Sequence, residues 1–430
     1  MSKYAFRAAT LVLERIERRK ISFGKAFTEI VSSTVPRVQQ YLAYEYALNG
    51  ILYYRAADFL LSREGISGSP RRICAFRVGF SLLMNRKFEI TLKDLKQMSG
   101  GLLTGKMLLL LKKVSKLTFE DFLKEVPPEK RLGVKYSVPN WLVNELSKVM
   151  SEREVERLLK ATTRPVTWAR VNTLKLGKRK LAKKLASIAE IRWDRDYDFM
   201  FEVVKGREKL IASPLVKNGF IVIQDKGSAV VVDALSPEVN DIILDLASAP
   251  GIKTSLIAQW TGNRARVIAF DISYERMVEM KLLLKKLNVL NVDMTVLDST
   301  RVSLSKRFKK ILIDAPCSNT GALSSDPGLR LALRDIVDVN RFAEIQYAML
   351  DKAVENAEEG GVIVFSTCSL LPQEGEVIVE KIEEKHGVGV DTSGVPGNFG
   401  YKEFRVSSKV RRLFPHINRT TGFFIARIYV

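Results

Sequence analysis

From about residue 218 to the last residue, short continuous apolar runs alternate with longer segments of helical period. This alternation constrains the fold more than any other feature of the chain. The runs are "FIVI" (220–223), "DIILDLA" (241–247), "ARVIAFDI" (265–272), "VDMTVLD" (292–298), "KKILIDAP" (309–316) and "GVIVFST" (361–367). Helix-periodic segments such as 273–287 and 339–357 separate them. Strands that are apolar throughout and spaced by helices predict a parallel sheet covered on both faces, an α/β doubly wound, Rossmann-like architecture. The final stretch "FPHINRTTGFFIARIYV" (414–430) predicts two strands around Thr421-Gly422, added antiparallel at one edge.

The preceding residues have a different texture. Over 1–130, "YAFRAATLVLERI" (4–16), "QQYLAYEYALNGILYYRAADFLL" (39–61) and "RRICAFRVGFSLLM" (71–84) repeat apolar positions every three or four residues, which predicts an all-helical domain. Arg71, Arg72, Arg77, Arg86 and Lys87 fall between the stripes, as a solvated face or an RNA-contacting one, and Cys74 falls among the core positions. Residues 131–217 read as two short helices, a "VTWARVNTLK" strand, a helix over "KRKLAKKLASIAEI" and a "FMFEVVKG" strand, a small α+β module. Three domains are therefore expected, 1–130, 131–217 and 218–430.

With 69 Lys plus Arg against 48 Asp plus Glu, the net charge of +21 favours a polyanionic partner, nucleic acid foremost. No apolar run reaches the ~20 residues of a membrane span, and no signal-peptide core precedes the first helix, so a cytoplasmic protein without membrane contact is expected. Three cysteines without a C-x-x-C pair and only His386 and His416 leave no metal-ligand pattern and no Ser-His-Asp arrangement.

"LDLASAPGIKTSLIAQW" (244–260) places Asp245 at a strand end, then small residues, a Pro250-Gly251 turn and a helix beginning near Ile252. Small residues admit a ligand to the backbone, and the helix start offers free N–H groups. The phosphate-loop and dinucleotide glycine patterns are both missing. The next strand ends in Asp271, placed to accept two ribose hydroxyls, and the following one in Asp298, suited to an exocyclic amine. A ligand with a ribose, an adenine and a tail without phosphates fits S-adenosylmethionine better than NAD or ATP.

Two more strands deliver Asp314 with Cys317, in "DAPCSNTG", and Cys368, in "STCSL", to the same carboxyl edge. Exocyclic nitrogens carry a lone pair and accept a methyl group without help. Carbon 5 of a pyrimidine becomes nucleophilic only when a thiolate adds to carbon 6, and cysteine is the side chain with that reactivity near neutral pH. A carboxyl group near ring N3 then stabilises the charge that develops. Which thiol attacks is left open by the residues alone.

"RVNTLK" (170–175), "IQDKGSAVVVDAL" (223–235), "DLASAPGIKT" (245–254), "DISYERM" (271–277), "DAPCSNTG" (314–321), "STCSLLPQEGEVIV" (366–379) and "TGFFIAR" (421–427) closely resemble the RsmB/NOP/Sun family of RNA cytosine-C5 methyltransferases. The resemblance implies a class I methyltransferase domain and a nucleophile at Cys368, with Cys317 assisting release of product from the covalent adduct. It implies cofactor contacts from Ala247, Ser248, Ala249, Pro250, Gly251, Ile252 and Lys253, from Asp271, Arg276 and Asp298, and from Asp314, near both cofactor and base. Residues 131–217 resemble the family's RNA-binding region, and 1–130 an all-helical, Nus factor B-like antitermination domain. The implied activity is S-adenosylmethionine-dependent methylation of cytosine in structured RNA by a monomer, ribosomal RNA favoured over transfer RNA, with a catalytically silent RNA-binding assembly factor as the alternative. The chain departs from the family pattern at Ala247, Ser248 and Ile252 in the cofactor loop, at Asn319 and at Gly375. A β-branched Ile252 lacks the backbone freedom of the usual glycine, which bears on cofactor affinity.

Overall fold

The computed structural model describes residues 2–164, 166–335 and 338–430. It divides the chain into two compact units rather than the three expected segments. One comprises residues 1–164 with 323–337, the other residues 165–322 with 338–430.

The first unit is helical. Its amphipathic segments become helices at Lys3–Arg19, Phe23–Thr34, Gln40–Leu52, Tyr54–Arg63 and Pro70–Met84, with shorter helices following to Glu152–Thr162. Ser2, Ser22, Thr104 and Thr118 cap helix starts, and Thr91 forms a capping box with Asp94. The single run expected over 39–61 is broken at Tyr53. The boundary expected at 130/131 falls inside the helix Pro128–Lys135, and the helices Asn140–Ser147 and Glu152–Thr162 belong with the first unit. The segment 323–337 joins it because Arg330, fully buried, donates to the carbonyls of Leu323 at 2.7 Å and Thr162 at 3.0 Å, while Tyr54 Oη donates to the Arg330 carbonyl at 2.9 Å.

Arg77 is on neither a solvated nor an RNA-facing surface. It is fully buried and donates to both carboxylate oxygens of Asp58 at 2.7 and 2.8 Å, with Glu17 at 2.8 Å. Cys74 is buried beside it, as the core reading expected, and burial pushes its thiol up.

The second unit carries two sheets. In the smaller, β1 (Thr167–Val171), β2 (Glu190–Trp193), β3 (Met200–Lys205) and β4 (Ile221–Ile223) pair antiparallel in the order β2-β3-β1-β4. Ala169, Val171 and Phe201 pack there against Leu181 and Leu185 of the helix Lys178–Ala186. β4 is the "FIVI" run, so it pairs in this sheet and not the larger one, although Val222 packs into the core of the larger one. β2 begins within the segment read as the end of the preceding helix.

The larger sheet contains β5 (Ile242–Asp245), β6 (Arg266–Asp271), β7 (Val292–Val296), β8 (Phe308–Asp314), β9 (Ala357–Thr367), β10 (Gly389–Val390), β11 (Arg411–Leu413) and β12 (Phe423–Tyr429). Its order is β10-β12-β9-β8-β5-β6-β7, with β11 beside β12. The pairs from β9 to β7 are parallel, whereas β12 is antiparallel to β9 and β10 to β12. Leu256, Ile257 and Met280 pack on one face, and Met349, Leu350 and Ile378 on the other, which is the doubly wound arrangement. The expected strand pair at the chain end differs in one member: Pro415–Asn418 is a helical turn, and the partner of β12 is β11, just upstream. Pro415 has no N–H to give a ladder, which disfavours a strand there.

Chain order runs outward from β5 through β6 to β7, then returns to β8 on the other flank of β5. The carboxyl ends of these strands therefore face a crevice at a topological switch point. Among the described residues no helix is long and apolar enough to cross a membrane.

Candidate active site

A cavity of about 820 Å³ opens at this carboxyl edge. Five strand ends feed it. The loop after β5 contributes Ala247, Ala249, Pro250 and Lys253, β6 contributes Asp271, the segment after β7 contributes Asp298, and the segments after β8 and β9 contribute Cys317 and Cys368. The structure thus brings most of the expected residues together, Arg276 and Asp314 included. Ser248, Gly251 and Ile252 do not line the cavity. Ser248 is buried and donates to the Phe270 carbonyl at 3.0 Å, while Ile252 packs against the core.

Ile252 opens the helix Ile252–Trp260, so its own backbone is helical and needs no glycine. The left-handed residue is Gly251, at φ +94°, where a Cβ would stand 2.8 Å from Met280 Cγ. The departure at 252 therefore leaves the turn intact. Asn319, at φ +59°, likewise occupies a conformation that glycine and asparagine tolerate best.

The two carboxylates at the β6 and β7 ends face different settings. Asp271 is almost fully buried; it accepts from the Ala249 N–H at 3.2 Å and the Ser273 N–H at 3.0 Å, and pairs with Arg276 at 3.2 Å. Arg276 also donates to the Ala249 carbonyl, tying the loop after β5 to the end of β6. Asp298 accepts from the Thr300 hydroxyl at 2.7 Å and its N–H at 3.0 Å, bonds that hold its carboxyl below the usual range. Ala247 and Ala249 leave space between these acceptors and the thiols, and Leu297 and Ile272 supply apolar walls. Acceptors for hydroxyls and an amine beside apolar walls fit a nucleoside cofactor.

Asp245, the third strand-end carboxyl, does not reach the cavity. It is 1% exposed, accepts from Thr254 Oγ1 at 2.7 Å, and burial pushes its pKa up to about 7. Its folded value lies above the unfolded one, so the folded chain binds the extra proton between about pH 4 and 7 and loses stability as pH rises through that window. Asp245→Asn should remove this slope, about 1.4 kcal/mol per pH unit at its steepest. Denaturant melts from pH 4.5 to 7.5 check it: parallel curves for variant and parent contradict the assignment.

Lys253, expected at the cofactor, lines the cavity and also reaches Asp314: Nζ stands 2.5 Å from Oδ2 and 5.2 Å from the centre of the Phe423 ring. Asp314 Oδ1 accepts from Ser366 Oγ at 3.0 Å. A carboxylate and an ammonium are thereby fixed side by side at the cavity wall.

Cys317 Sγ and Cys368 Sγ are 3.0 Å apart, both as free thiols. Cys368, half-buried, donates to Asn319 Oδ1 at 2.9 Å, and Asn319 Nδ2 donates to the Cys317 carbonyl at 3.0 Å. The hydrogen bond to Cys368, then burial, then the neighbouring Cys368 and Glu374 charges hold the Cys317 thiol well above its ordinary value. The backbone pins the loops further. Gly321 N donates to the Cys368 carbonyl at 2.9 Å and Gly422 N to the Gly321 carbonyl at 2.8 Å, so three of the motif segments meet main chain to main chain. A Cβ on Gly321 would lie 2.3 Å from the Gly422 carbonyl oxygen, so this approach requires glycine. Sequence reasoning assigned no role to Glu374, Gln346, Ser318 or Ser369, which surround the thiols from behind; their only signal was membership of the thiol-bearing stretches or of the helix over 339–357. Among the described residues no group of His, Cys, Asp and Glu could hold a metal ion.

Residues 232–429 match the family described as 16S rRNA methyltransferase RsmB/F. The chain is 30% identical over 318 residues to the 28S rRNA (cytosine-C(5))-methyltransferase of Mus musculus, an alignment covering 70% of this chain and 40% of the mouse protein. It is 32% identical over 252 residues to the tRNA (cytosine(72)-C(5))-methyltransferase of Pyrococcus horikoshii, covering 54% of this chain and 61% of that one. It thus spans less than two thirds of the length of either relative. The solved structure of PH0851 superposes with a TM-score of 0.82 at 22% identity, covering 100% of this chain and 99% of that one, which shows a shared fold.

Proposed function

We propose, for a chain that belongs to the RsmB/NOP/Sun family of methyltransferases, that it transfers a methyl group from S-adenosylmethionine to carbon 5 of a cytosine in structured RNA. The observation that carries this reading is the pair of thiols in contact beside a cavity whose carboxylates suit a nucleoside. When bound, S-adenosylmethionine supplies an electrophilic methyl group. Asp271 and Asp298 accept hydrogen bonds from its hydroxyls and amine, and Ala247, Ala249 and Pro250 allow its close approach.

Cys368 is the nucleophile in this reading. Its sulfur bonds to carbon 6, and the π pair moves toward carbon 5 and the ring. The Asp314–Lys253 pair faces the ring edge and steadies the charge gathering at N3 and O2. Carbon 5 would then take the methyl group as its bond to the sulfonium sulfur breaks and the pair stays on that sulfur, leaving a neutral thioether. The carbon 5 proton would pass to water, and the ring double bond would re-form as the bond from Cys368 to carbon 6 breaks. Cys317 assists this release. Because carbon 6 is closed to a thiol in a stacked pair, the base must leave its helix to react.

The helical unit and the small sheet of β1 to β4 hold the RNA. The net charge of +21 and the lysine-bearing helix Lys178–Ala186 support this. The relatives named above are named for rRNA and for tRNA; ribosomal RNA is our first choice, on a cytoplasmic, monomeric enzyme.

Full-length protein with tritiated cofactor and RNA from cells lacking the gene tests the reading. Label appearing as 5-methylcytosine, located by bisulfite sequencing, is the expected result. Cofactor that binds by calorimetry without any label entering ribosomal or transfer RNA overturns it.

A further inference from the structure

Glu374 is fully buried, yet no cation lies within ion-pair distance of it among the described residues. Four neutral donors converge on it instead. Oε1 accepts from the Ser318 N–H at 2.8 Å and Gln346 Nε2 at 3.0 Å; Oε2 accepts from Ser318 Oγ at 2.5 Å and Ser369 Oγ at 2.6 Å. Ser318 follows Cys317 and Ser369 follows Cys368, so one carboxylate holds the residue after each thiol.

The residues before each thiol are held by the same group. Thr367 Oγ1 donates to the Glu374 carbonyl at 2.9 Å, and Gln346, bound to the carboxylate, also donates to the Pro316 carbonyl at 2.7 Å. Both sulfurs are therefore bracketed on both sides by Glu374 and its direct partner. We infer that Glu374 is the positioning residue of the thiol pair, tying the loops after β8 and β9 together so that Cys317 and Cys368 stay in contact. This rests on the reading that those thiols perform the chemistry.

A carboxylate accepts at both oxygens, from two N–H groups at Oε1 and from two hydroxyls at Oε2. Glutamine keeps the shape, removes the charge and turns the two serine hydroxyls from donors into acceptors. The choice also has an electrostatic effect. Burying an uncompensated charge is costly unless hydrogen bonds satisfy it, and here all four are present. The nearby Arg412 makes its ion pair with both oxygens of Glu376 at 2.7 and 2.5 Å and acts on Glu374 only at longer range, while Lys253 pairs with Asp314. The other titratable group facing Cys317 is Cys368. Negative charge thus stands behind Cys317 with no cation within ion-pair distance among the described residues, and the bond to Cys368, burial and that charge together hold the Cys317 thiol above its ordinary value.

The test is Glu374→Gln in the full chain, with two readouts. Iodoacetamide labelling resolved by peptide across pH should show the Cys317 midpoint falling once the like charge is gone. Single-turnover methylation should fall at least about tenfold, with the KM for S-adenosylmethionine within about twofold of the parent. A residue that merely supported the fold would lower the melting temperature without moving the Cys317 midpoint. Should Glu374→Gln not fold, Ser318→Ala and Ser369→Ala each remove one bond to Oε2 and should lower the single-turnover rate at unchanged KM. An unmoved Cys317 midpoint with an unchanged rate, or serine variants at full rate, overturns the inference. The labelling profile is readable even in a chain that methylates no RNA, so failure of the functional reading is seen separately.

Discussion

Cys368→Ala should lose methyl transfer by roughly 10⁴-fold or more, the scale on which removing a covalent nucleophile acts. Cytosine carbon 5 has no lone pair, and without a bond at carbon 6 nothing raises its electron density enough to accept a methyl group. The neighbouring thiol is not expected to substitute. Cys317 lies 3.0 Å away and is only 5% exposed; its thiol is raised by the bond to Cys368, which the substitution removes, and by burial and the Glu374 charge, which it keeps. The alanine leaves the carboxylates, the turn at Gly251 and the Lys253–Asp314 pair untouched, so cofactor affinity by calorimetry should stay within about twofold. Single-turnover transfer of tritiated methyl groups measures the rate. A variant retaining more than about a tenth of the parental rate removes Cys368 from the role and, with it, the covalent mechanism.

The parts of the site legible in the sequence are those that the chain writes locally. Each parallel strand announces itself as an apolar run, and the residue that follows it must fall at the carboxyl edge. Asp271, Asp298, Asp314, Cys317 and Cys368 therefore follow to one cavity from the sequence alone. What stayed hidden are contacts whose two halves lie far apart in sequence. Arg77 looks like a solvated stripe residue until Asp58 and Glu17 enclose it. Arg330 lies in a segment without strong periodicity, and its burial depends on carbonyls at Leu323 and Thr162, one of them 168 residues away. Lys253 fits a cofactor loop by its neighbours, whereas Asp314, 61 residues on, takes its ammonium group. Nothing local to Glu374 records that Ser318 and Gln346 will meet it. The "FIVI" run shows the complementary limit. Three apolar residues specify a strand, but the choice between two sheets is made by pairing with β1.

Cys317→Ala should convert a turnover enzyme into one that stays bound to its RNA. After methylation, carbon 5 carries both the methyl group and a proton, and carbon 6 is bonded to Cys368. Release requires that proton to pass to water, its electron pair to re-form the ring double bond, and the sulfur–carbon pair to return to Cys368. That departing sulfur touches Asn319 Oδ1 at 2.9 Å and the Cys317 thiol at 3.0 Å, the thiol on a loop held in register by Gly321 and Ser318. Alanine removes the thiol that can hand this sulfur a proton, while Cys368 and the cofactor acceptors remain free to form the adduct. Addition and methyl transfer should proceed, and elimination should slow enough for the protein–RNA complex to accumulate. Denaturing electrophoresis after incubation with S-adenosylmethionine should show a retarded band containing both protein and label, absent from the parent and from the Cys317→Ala, Cys368→Ala double variant. Truncating a buried sulfur costs on the order of 1–2 kcal/mol of stability, which leaves the fold in place and can be read from the melting temperature. A Cys317→Ala protein that turns over at the parental rate without a retarded band would show that the departing sulfur needs no proton from Cys317, and that the contact between the two sulfurs serves only to pack the loops.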